Sequence, residues 1–284
     1  MTTIRLRCSP DADDLFMMRA LLERRIDTGD YAFEIDTEPT DALNQLASDP
    51  GAPEVVALSI AHYPAVAHRY QLLPHGGSLG EGYGPVIVGK TSSLPSGKLR
   101  MGVPGLSTTA WLVTRMWLGD RLADIEPVVI PIEPYSRTFE AVHQGEVDTA
   151  LIIHEGRLTY EDEGLRSIVD IGEWWASDTD GLPLPLGGNA IRRDLDAATI
   201  QEVSDLLRRS IADALDHRDE AIAWLLARGG ALKTEARVSQ YLDMYANQRT
   251  LDYGEAGREG VRRLFERAVA AGFLDRMPPV DFAP

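Results

Sequence analysis

The sequence is poor in cysteine and contains no long apolar run. Its single cysteine, Cys8, excludes an intramolecular disulfide and a thiol cluster around a metal ion. No apolar run approaches the roughly 20 residues that a membrane-spanning helix needs. The first residues enter a predicted strand directly, without the apolar segment of a secretory leader. We therefore expect a cytoplasmic protein that is not inserted in a membrane.

Positive charge is also scarce, and almost all of it is arginine. The formal net charge is −16, and 25 of the 28 basic residues are arginine because lysine occurs only at Lys90, Lys98 and Lys233. A surface this acidic repels phosphate groups, so we expect neither a nucleic-acid nor a membrane partner. The arginine bias fits a GC-rich genome better than adaptation to salt. The hydrophobic fraction of 44% is ordinary for a globular protein.

Strand and helix patterns alternate along the chain, which predicts a mostly parallel sheet in an α/β fold. The predicted strands are residues 3–8, 31–36, 54–60, 85–89, 99–103, 128–131, 149–153 and 167–170, with a further apolar segment at 189–191. The predicted helices are residues 14–25, 39–47, 60–70, 108–118, 135–143, 200–226, 235–245 and 257–271.

Two segments rich in proline, glycine and serine interrupt this pattern. Residues 90–97 and 181–188 bracket a central unit of typical small-domain size. We predict two lobes with a cleft between them: a discontinuous lobe of residues 1–90 plus 187–284, with a helical tail, and an inserted lobe of residues 91–186. Ligands in such folds bind in the cleft at the carboxyl ends of strands. The alternative is one continuous sheet with a helical appendage.

A polar turn between a predicted strand and a predicted helix is a candidate anion site. The segment Pro104-Gly-Leu-Ser-Thr-Thr-Ala110 places hydroxyls and free amides where a helix begins. The positive end of the helix dipole favours an anion there. Ordinary helix capping by Ser107 or Thr108 explains the same residues equally well.

A histidine closes another apolar strand. The segment Leu151-Ile-Ile-His-Glu-Gly-Arg157 brings His154 to a carboxyl end, where the active-site residues of parallel sheets collect. A histidine there can accept or donate protons near neutral pH. A structural hydrogen bond to a loop is the competing interpretation. Glu155 either orients the imidazole or faces solvent.

Three other segments have a functional and a structural interpretation. Ser59 ends a strand three residues before His62, which permits a nucleophile pair, although a substrate hydrogen bond or a helix cap is favoured. The glycine-rich segment 75–85 indicates a tight bend or backbone close to a ligand. In the segment Ser9–Phe16, three aspartates could hold a metal ion, although capping of the next helix by Asp13 or Asp14 is favoured.

Several of these segments together resemble one family, the 1,4-dihydroxy-6-naphthoate synthases of the futalosine route to menaquinone. The strongest stretches are His154-Glu-Gly-Arg-Leu-Thr-Tyr160, Asp170-Ile-Gly-Glu-Trp-Trp175 and Gly181-Leu-Pro-Leu-Pro-Leu-Gly187. Segments 76–85 and 104–110 are also similar, and the resemblance covers most of residues 1–195. Near the start the family usually has Ser-Pro-Cys-Pro-Asn-Asp-Thr-Phe. This chain has Ser-Pro-Asp-Ala-Asp-Asp-Leu-Phe there.

The resemblance implies a two-lobed fold like that of type II periplasmic binding proteins. It implies a carbon–carbon lyase that converts cyclic dehypoxanthinyl futalosine, a small-molecule carboxylate, to 1,4-dihydroxy-6-naphthoate without cofactor or metal. His154 would be the base. We expect the substrate to contact Ser59, Ser107, Thr108, Thr109, Ala110, Glu155 and Arg157.

Two other functions stay open at this point. One is chorismate dehydratase, an enzyme of related fold that lacks the His-Glu-Gly-Arg and double-tryptophan stretches. The other is a carboxylate-binding protein without catalysis. The sequence does not fix the oligomeric state.

Overall fold

The structure is a computed structural model that describes residues 1–132 and 134–284. Within these ranges the strands are β1 (Thr2–Cys8), β2 (Tyr31–Thr37), β3 (Val55–Ser59), β4 (Tyr70–Leu72), β5 (Ser78–Gly80), β6 (Val86–Gly89), β7 (Leu99–Val103), β8 (Ile125–Val129), β9 (Thr149–Ile152), β10 (Arg166–Asp170) and β11 (Leu184–Arg192). The helices are α1 (Ala12–Leu22), α2 (Thr40–Ser48), α3 (Tyr63–Val66), α4 (Thr109–Leu118), α5 (Tyr135–Gln144), α6 (Ile171–Asp178), α7 (Ala197–Asp216), α8 (Arg218–Arg228), α9 (Glu235–Tyr245), α10 (Gln248–Leu251) and α11 (Gly254–Ala270). Short 3-10 helices lie at Ile60–His62, Gly119–Asp124 and His154–Leu158.

The strands form two separate sheets, so the alternative of one continuous sheet is wrong. The first sheet has the order β2-β1-β3-β11-β4, with β5 also paired to β11, and the second has the order β10-β6-β9-β7-β8. In each sheet three neighbouring strands pair in parallel, and a single strand, β11 in the first sheet and β6 in the second, runs antiparallel to all the others. The prediction of a mostly parallel sheet therefore holds for the direction of the strands, although about half of the strand pairs are antiparallel. The direction of a strand depends on which distant strand it pairs with, and a local pattern does not contain this information.

The chain passes between the sheets slightly earlier than the predicted lobe boundaries. Strand β6, which the boundary at residue 90 placed in the first lobe, pairs with β9 and β10 in the second sheet. The chain returns at Leu184, where β11 begins, and not at residue 187. The first composition break, at residues 90–97, is an exposed turn after the first crossing, whereas the second, at residues 181–188, contains the point of return and is largely buried. Val86 and Asp170 are paired neighbours, so the part of the chain that forms the second sheet begins and ends at adjacent points.

Apolar side chains from both lobes form the core. Ile4 and Leu6 of β1 are fully buried, and every residue of β3 is buried, as its continuous apolar run predicts. A second apolar cluster, with Phe16 and Leu242, packs α1 against α8 and α9. A third cluster, which includes Phe139, packs the second sheet against α5. The cluster that contains Phe16 brings the helical tail against the first lobe.

Two parts of the carboxyl-terminal region differ from the prediction. The predicted helix 200–226 is two helices, because His217 leaves helical geometry with φ −116° and ψ 43°. The proline- and glycine-rich segment near 181–188 contributes the first half of β11. It pairs there with β5, and the register shifts between Pro185 and Gly187. Of the helices described, none combines the length and apolar character needed to cross a bilayer.

Candidate active site

The two lobes face each other across a cleft with an empty volume of about 760 Å³. The strand β3 and the segment after β9 bring Ser59 and His154 to its wall. The start of α4, the middle of β11 and the helix α9 complete much of the lining. Of the residues predicted for the site, those in the cleft wall are Ser59, Thr108, Thr109, Ala110 and His154.

The first turn of α4 is both capped and open to an anion. The Thr108 hydroxyl accepts from the amide of Trp111 (3.2 Å) and donates to the carbonyl of Gly105 (2.9 Å), which confirms helix capping. The amides of Thr109 and Ala110 have no acceptor among the described residues. Two free amides at a helix start are donors for a carboxylate.

The Thr109 hydroxyl acts as a structural link. It accepts from the amide of Ala61 (3.0 Å) and donates to the carbonyl of Leu186 (2.6 Å). This hydroxyl therefore joins α4 to β11 and to the turn after β3.

A buried asparagine that the sequence analysis missed organises Ser59 and Ser107. Asn44 of α2 is fully buried and donates to both hydroxyls, at 3.1 Å and 2.8 Å. Ser107 in turn donates to Asp41 (2.6 Å) and does not line the cleft, so its predicted contact with substrate has no support from its position. A polar residue on the apolar side of α2, between Leu43 and Ala47, was the available signal.

The possible nucleophile pair of Ser59 and His62 is not formed. The Ser59 hydroxyl accepts from Asn44, whereas Nε2 of His62 lies 3.1 Å from the Ser48 hydroxyl. His62 is also outside the cleft wall.

His154 has a backbone conformation that side chains other than glycine rarely adopt. Its φ is +52°, in the left-handed region. Such conformations cost about 1–2 kcal/mol and concentrate at functional sites. Its Nδ1 forms an ion pair with Oδ2 of Asp11, whose side chain is 1% exposed, while 20% of the His154 side chain remains exposed. Because His154 lines the cleft, its exposed part faces the cleft.

Asp11 is held by several groups at once. The Ser9 hydroxyl donates to the same Oδ2, and Glu155 forms a further hydrogen bond with Asp11. Glu155 is buried behind His154, where its Oε1 accepts from the Ala12 amide at 3.1 Å. Glu155 therefore supports the histidine and does not line the cleft, which removes the positional argument for a contact with substrate.

The ionisation of this cluster is strongly perturbed. Burial alone would lower the pKa of His154, but the carboxylates of Asp11, Asp13 and Glu155 raise it to about 10. Burial opposes ionisation of Asp11 as well, yet the charge and hydrogen bond of His154 lower its pKa to about 2. Burial, reinforced by neighbouring carboxylates, raises the pKa of Asp14 and of Glu155 to about 8 and also raises that of Asp13. At neutral pH the cluster therefore contains an imidazolium–carboxylate pair beside protonated carboxyl groups.

The aspartates of α1 do not cap their helix as predicted. The helix begins at Ala12, so Asp13 and Asp14 lie inside its first turn and Asp11 is the capping position. Asp14 accepts instead from the amide of Ser9 at 2.6 Å. Within residues 1–132 and 134–284, no group of three or more histidine, cysteine or acidic side chains is arranged to hold a metal ion.

Two tyrosines of α9 line the cleft, although the tail looked undistinctive in sequence. Tyr241 and Tyr245 are four residues apart, hence on one helix face, with ring centroids 5.0 Å apart. The Tyr241 hydroxyl donates to Asp13 (3.0 Å). The Tyr245 ring meets that of Tyr83 edge to face at 5.7 Å. This aromatic wall suits a flat ring in the ligand.

Arg157, predicted to contact the substrate, is not among the residues that line the cleft. It donates to the carbonyl of Gly84 (2.7 Å) and forms an ion pair with Asp170 (2.6 Å). Gly84 belongs to the first crossing between the sheets, and Asp170 caps α6 through the amide of Gly172. Arg157 thus links the first crossing between the sheets, at Gly84, to the start of α6, at Asp170.

The sequence matches known proteins over nearly the whole chain. A family model described as menaquinone biosynthesis matches residues 4–270. A protein from Thermus thermophilus named 1,4-dihydroxy-6-naphthoate synthase is 37% identical, covering 98% of each chain. A protein of the same name from Streptomyces coelicolor is 32% identical, covering 98% of this chain and 96% of its own.

Solved structures share the fold. A crystal structure of a protein from Archaeoglobus fulgidus has a TM-score of 0.87 at 37% identity, covering 96% of this chain and 98% of its own. The alkanesulfonate-binding protein SsuA from Xanthomonas axonopodis has a TM-score of 0.69 at 15% identity, covering 100% and 96%. A Candida albicans protein with the generic periplasmic binding protein fold has a TM-score of 0.67 at 12% identity, covering 99% and 93%. The last two show the fold alone, and the predicted periplasmic-binding-protein-like fold is confirmed.

Proposed function

The chain belongs to the menaquinone biosynthesis family, and on that premise we propose that it is a carbon–carbon lyase that converts cyclic dehypoxanthinyl futalosine to 1,4-dihydroxy-6-naphthoate. The observation that carries the proposal is the position of His154. It follows an apolar strand, takes a left-handed conformation and exposes one edge to a cleft that also contains free helix-start amides. A proton-transfer group therefore faces the same space as an anion site.

The substrate carboxylate binds at the start of α4. The amides of Thr109 and Ala110 donate to it, and the helix dipole adds about 0.3–1 kcal/mol. Ser59, at the end of β3, offers a further polar contact in the same wall. The rings of Tyr241 and Tyr245 pack against the ring system of the substrate.

His154 acts as the base. When the carbon–carbon bond breaks, its electron pair stays on the ring fragment, which becomes aromatic. The other fragment departs with a new double bond as it loses a proton. The neutral imidazole accepts this proton. The reaction needs no redox partner, because carbon–carbon cleavage with proton loss is electron-neutral.

The surrounding carboxylates hold this base in its protonated form at neutral pH. With a pKa of about 10 for His154, only about one imidazole in a hundred is neutral at pH 8. The rate at low substrate concentration should therefore rise with pH above neutrality.

The two alternatives have less support. Both curated relatives are named as the naphthoate synthase and not as chorismate dehydratase. A carboxylate-binding protein without catalysis would use the helix-start amides, but it would have no use for a buried ion pair on a strained histidine.

Incubation of the purified protein with cyclic dehypoxanthinyl futalosine tests the proposal. Mass spectrometry should detect 1,4-dihydroxy-6-naphthoate, in amounts that grow with time and enzyme concentration. A parallel incubation with chorismate tests the dehydratase. Loss of water from chorismate, with the futalosine derivative left intact, would overturn the proposal in favour of that alternative. Tight binding of the derivative without product would favour a binding protein.

A further inference from the structure

The pair formed by Asp11 and His154 is a feature of this chain that its resemblance to the family does not explain. In the first motif, Asp11 stands where the family usually has cysteine. The two residues come from different lobes, one after β1 and the other after β9. Their contact therefore joins the two lobes beside the cleft.

The contact selects one nitrogen of the ring. Nδ1 of His154 forms the ion pair with Asp11 and is itself fully buried. The exposed 20% of the side chain consequently lies on the opposite edge, which carries Nε2. An imidazole held in this way donates through Nδ1 and presents Nε2 to whatever enters the cleft.

Asp11 is itself prevented from moving or changing partner. Its carboxylate is 1% exposed and also interacts with the Ser9 hydroxyl and with Glu155. Glu155 is anchored in turn by the Ala12 amide. A carboxylate with this many partners has one orientation, and it transmits that orientation to the ring.

We propose that Asp11 is a positioning residue for His154: its carboxylate fixes the imidazole through Nδ1 and commits Nε2 to the substrate. This inference rests on the proposed function of His154 as the base. The arrangement resembles in logic the histidine–aspartate part of a catalytic triad, where the carboxylate sets the tautomer and stabilises the imidazolium. Here the partner comes from the other lobe, so the base is correctly oriented only when the lobes are together.

Five further residues face the Asp11–His154 pair, and the control variant is chosen among them. They are Ser9 from the loop after β1, Asp13 and Asp14 from α1, Glu155 from the 3-10 helix after β9, and Tyr241 from α9. Asp14 is a matched control for the tautomer because it is nearly as buried as its neighbours and its hydrogen bond is with the Ser9 amide rather than with the ring. Burial raises its pKa to about 8, so Asp14 is ionised where His154 titrates, and Asp14→Asn acts on the His154 midpoint through charge alone.

The first test is NMR titration of the full-length protein labelled in histidine with ¹⁵N and ¹³C. The resonance that disappears in His154→Asn identifies the residue among the six histidines. In the wild type its midpoint should lie above that of an ordinary histidine, and neutral His154 should carry its proton on Nδ1. Asp11→Asn and Asp11→Cys should lower the midpoint by about 1–3 pH units and mix the two tautomers. Asp14→Asn should lower the midpoint by less and should leave the tautomer unchanged. An unchanged midpoint and tautomer in both Asp11 variants would overturn the proposal.

The second test is kinetic and separates this inference from the proposed function. In Asp11→Asn, the acidic pKa in the pH profile of kcat/KM should fall together with the NMR midpoint of His154. The kcat of this variant on the high-pH plateau should fall at least about tenfold, toward the loss of about 10²–10⁴ expected when a general base is misplaced. If the wild type does not turn over the futalosine derivative, the proposed function fails. The tautomer of His154 measured by NMR still decides whether Asp11 fixes the ring. If the wild type turns over the derivative and Asp11→Asn keeps both the acidic pKa of kcat/KM and the kcat at high pH, the role of Asp11 is refuted and the proposed function stands.

Discussion

The hydroxyl of Tyr241 donates a 3.0 Å hydrogen bond to Asp13, and both residues are buried at the edge of the cleft. The bond joins α9 to the first turn of α1. Tyr241→Phe keeps the ring but removes this donor from a buried carboxyl group, a change that typically costs about 1–3 kcal/mol. Urea unfolding should show a loss of that size. Tyr31→Phe, whose hydroxyl lies 3.4 Å from that of Thr199, is the control and should lose less. Equal losses in the two variants would contradict the argument.

The left-handed backbone conformation of His154 determines which substitution best tests its role as the base. Asparagine tolerates a positive φ better than alanine, so His154→Asn should fold normally. Its kcat should fall by about 10²–10⁴, while its melting temperature stays close to that of the wild type. His68→Asn changes an exposed histidine outside the cleft wall and should keep full activity. Near-normal turnover by His154→Asn would refute the role of His154 as the base.

The buried carboxyls make the free energy of unfolding depend on pH. Burial raises the pKa of Glu155 and of Asp14 to about 8, whereas both titrate near 4 in an unfolded chain. A folded-state pKa above the unfolded one gives stabilisation that is complete below the unfolded value and lost as pH rises through the folded value. The same sign applies to His154, up to about pH 10. The combined contribution of these three groups to the free energy of unfolding should therefore decrease from about pH 4 to pH 8 and beyond.

Glu155→Gln isolates one of these contributions. The amide is of similar size and its oxygen can still accept from the Ala12 amide, but it does not titrate. The decrease in unfolding free energy between pH 4 and pH 8 should be smaller by at least about 1 kcal/mol, since one pKa unit corresponds to about 1.4 kcal/mol. Glu126→Gln, at an exposed position, should reproduce the wild-type pH curve. Parallel curves for the wild type and Glu155→Gln would show that Glu155 is ionised over this range.

The ion pair of Arg157 with Asp170 should matter for stability. Arg157→Met leaves a carboxylate with 8% side-chain exposure without its cation, which typically costs about 3–5 kcal/mol. The double variant Arg157→Met with Asp170→Asn removes the unpaired charge and keeps an oxygen that can cap α6. It should recover a large part of the loss in a denaturant titration. A double variant no more stable than the single one would show that the hydrogen bond to Gly84 dominates.

Thr109 should affect substrate binding through the position of its helix. Thr109→Val leaves the amide of Ala61 and the carbonyl of Leu186 without their hydroxyl partner, so the start of α4 can shift. We expect KM to rise about tenfold, equivalent to one lost hydrogen bond of about 1.4 kcal/mol. Thr109→Ser keeps the hydroxyl and should retain the wild-type KM. A normal KM in Thr109→Val would place the anion elsewhere in the cleft.

Local patterns were sufficient to predict most elements and the strand ends that form the cleft. Ser59, His154 and the start of α4 were found because each follows an apolar strand. Glu155 follows His154 directly, but a 3-10 helix turns successive side chains by about 120°, which directs Glu155 into the protein.

Contacts between distant parts of the chain could not be predicted in this way. Asp11 and His154 lie on different lobes, and neither segment alone indicates that they pair. Asn44 and Tyr241 come from helices whose local pattern is ordinary. The antiparallel direction of β11 likewise follows from the strands on either side of it. These are properties of the assembled fold, in which pairing depends on non-local geometry.

Because Val86 and Asp170 are paired neighbours, the segment between them leaves and rejoins the rest of the chain at almost one point. A segment with adjacent ends can be gained or exchanged as a unit without disturbing the strands that receive it. The proton-transfer residue and the helix-start amides both belong to that unit, whereas Asp11, Ser59 and Tyr241 belong to the surrounding part. Exchange of the unit between related proteins would thus transfer the reactive groups while leaving behind the residues that orient and enclose them. Chimaeras of this kind could separate the evolution of reactivity from that of selectivity.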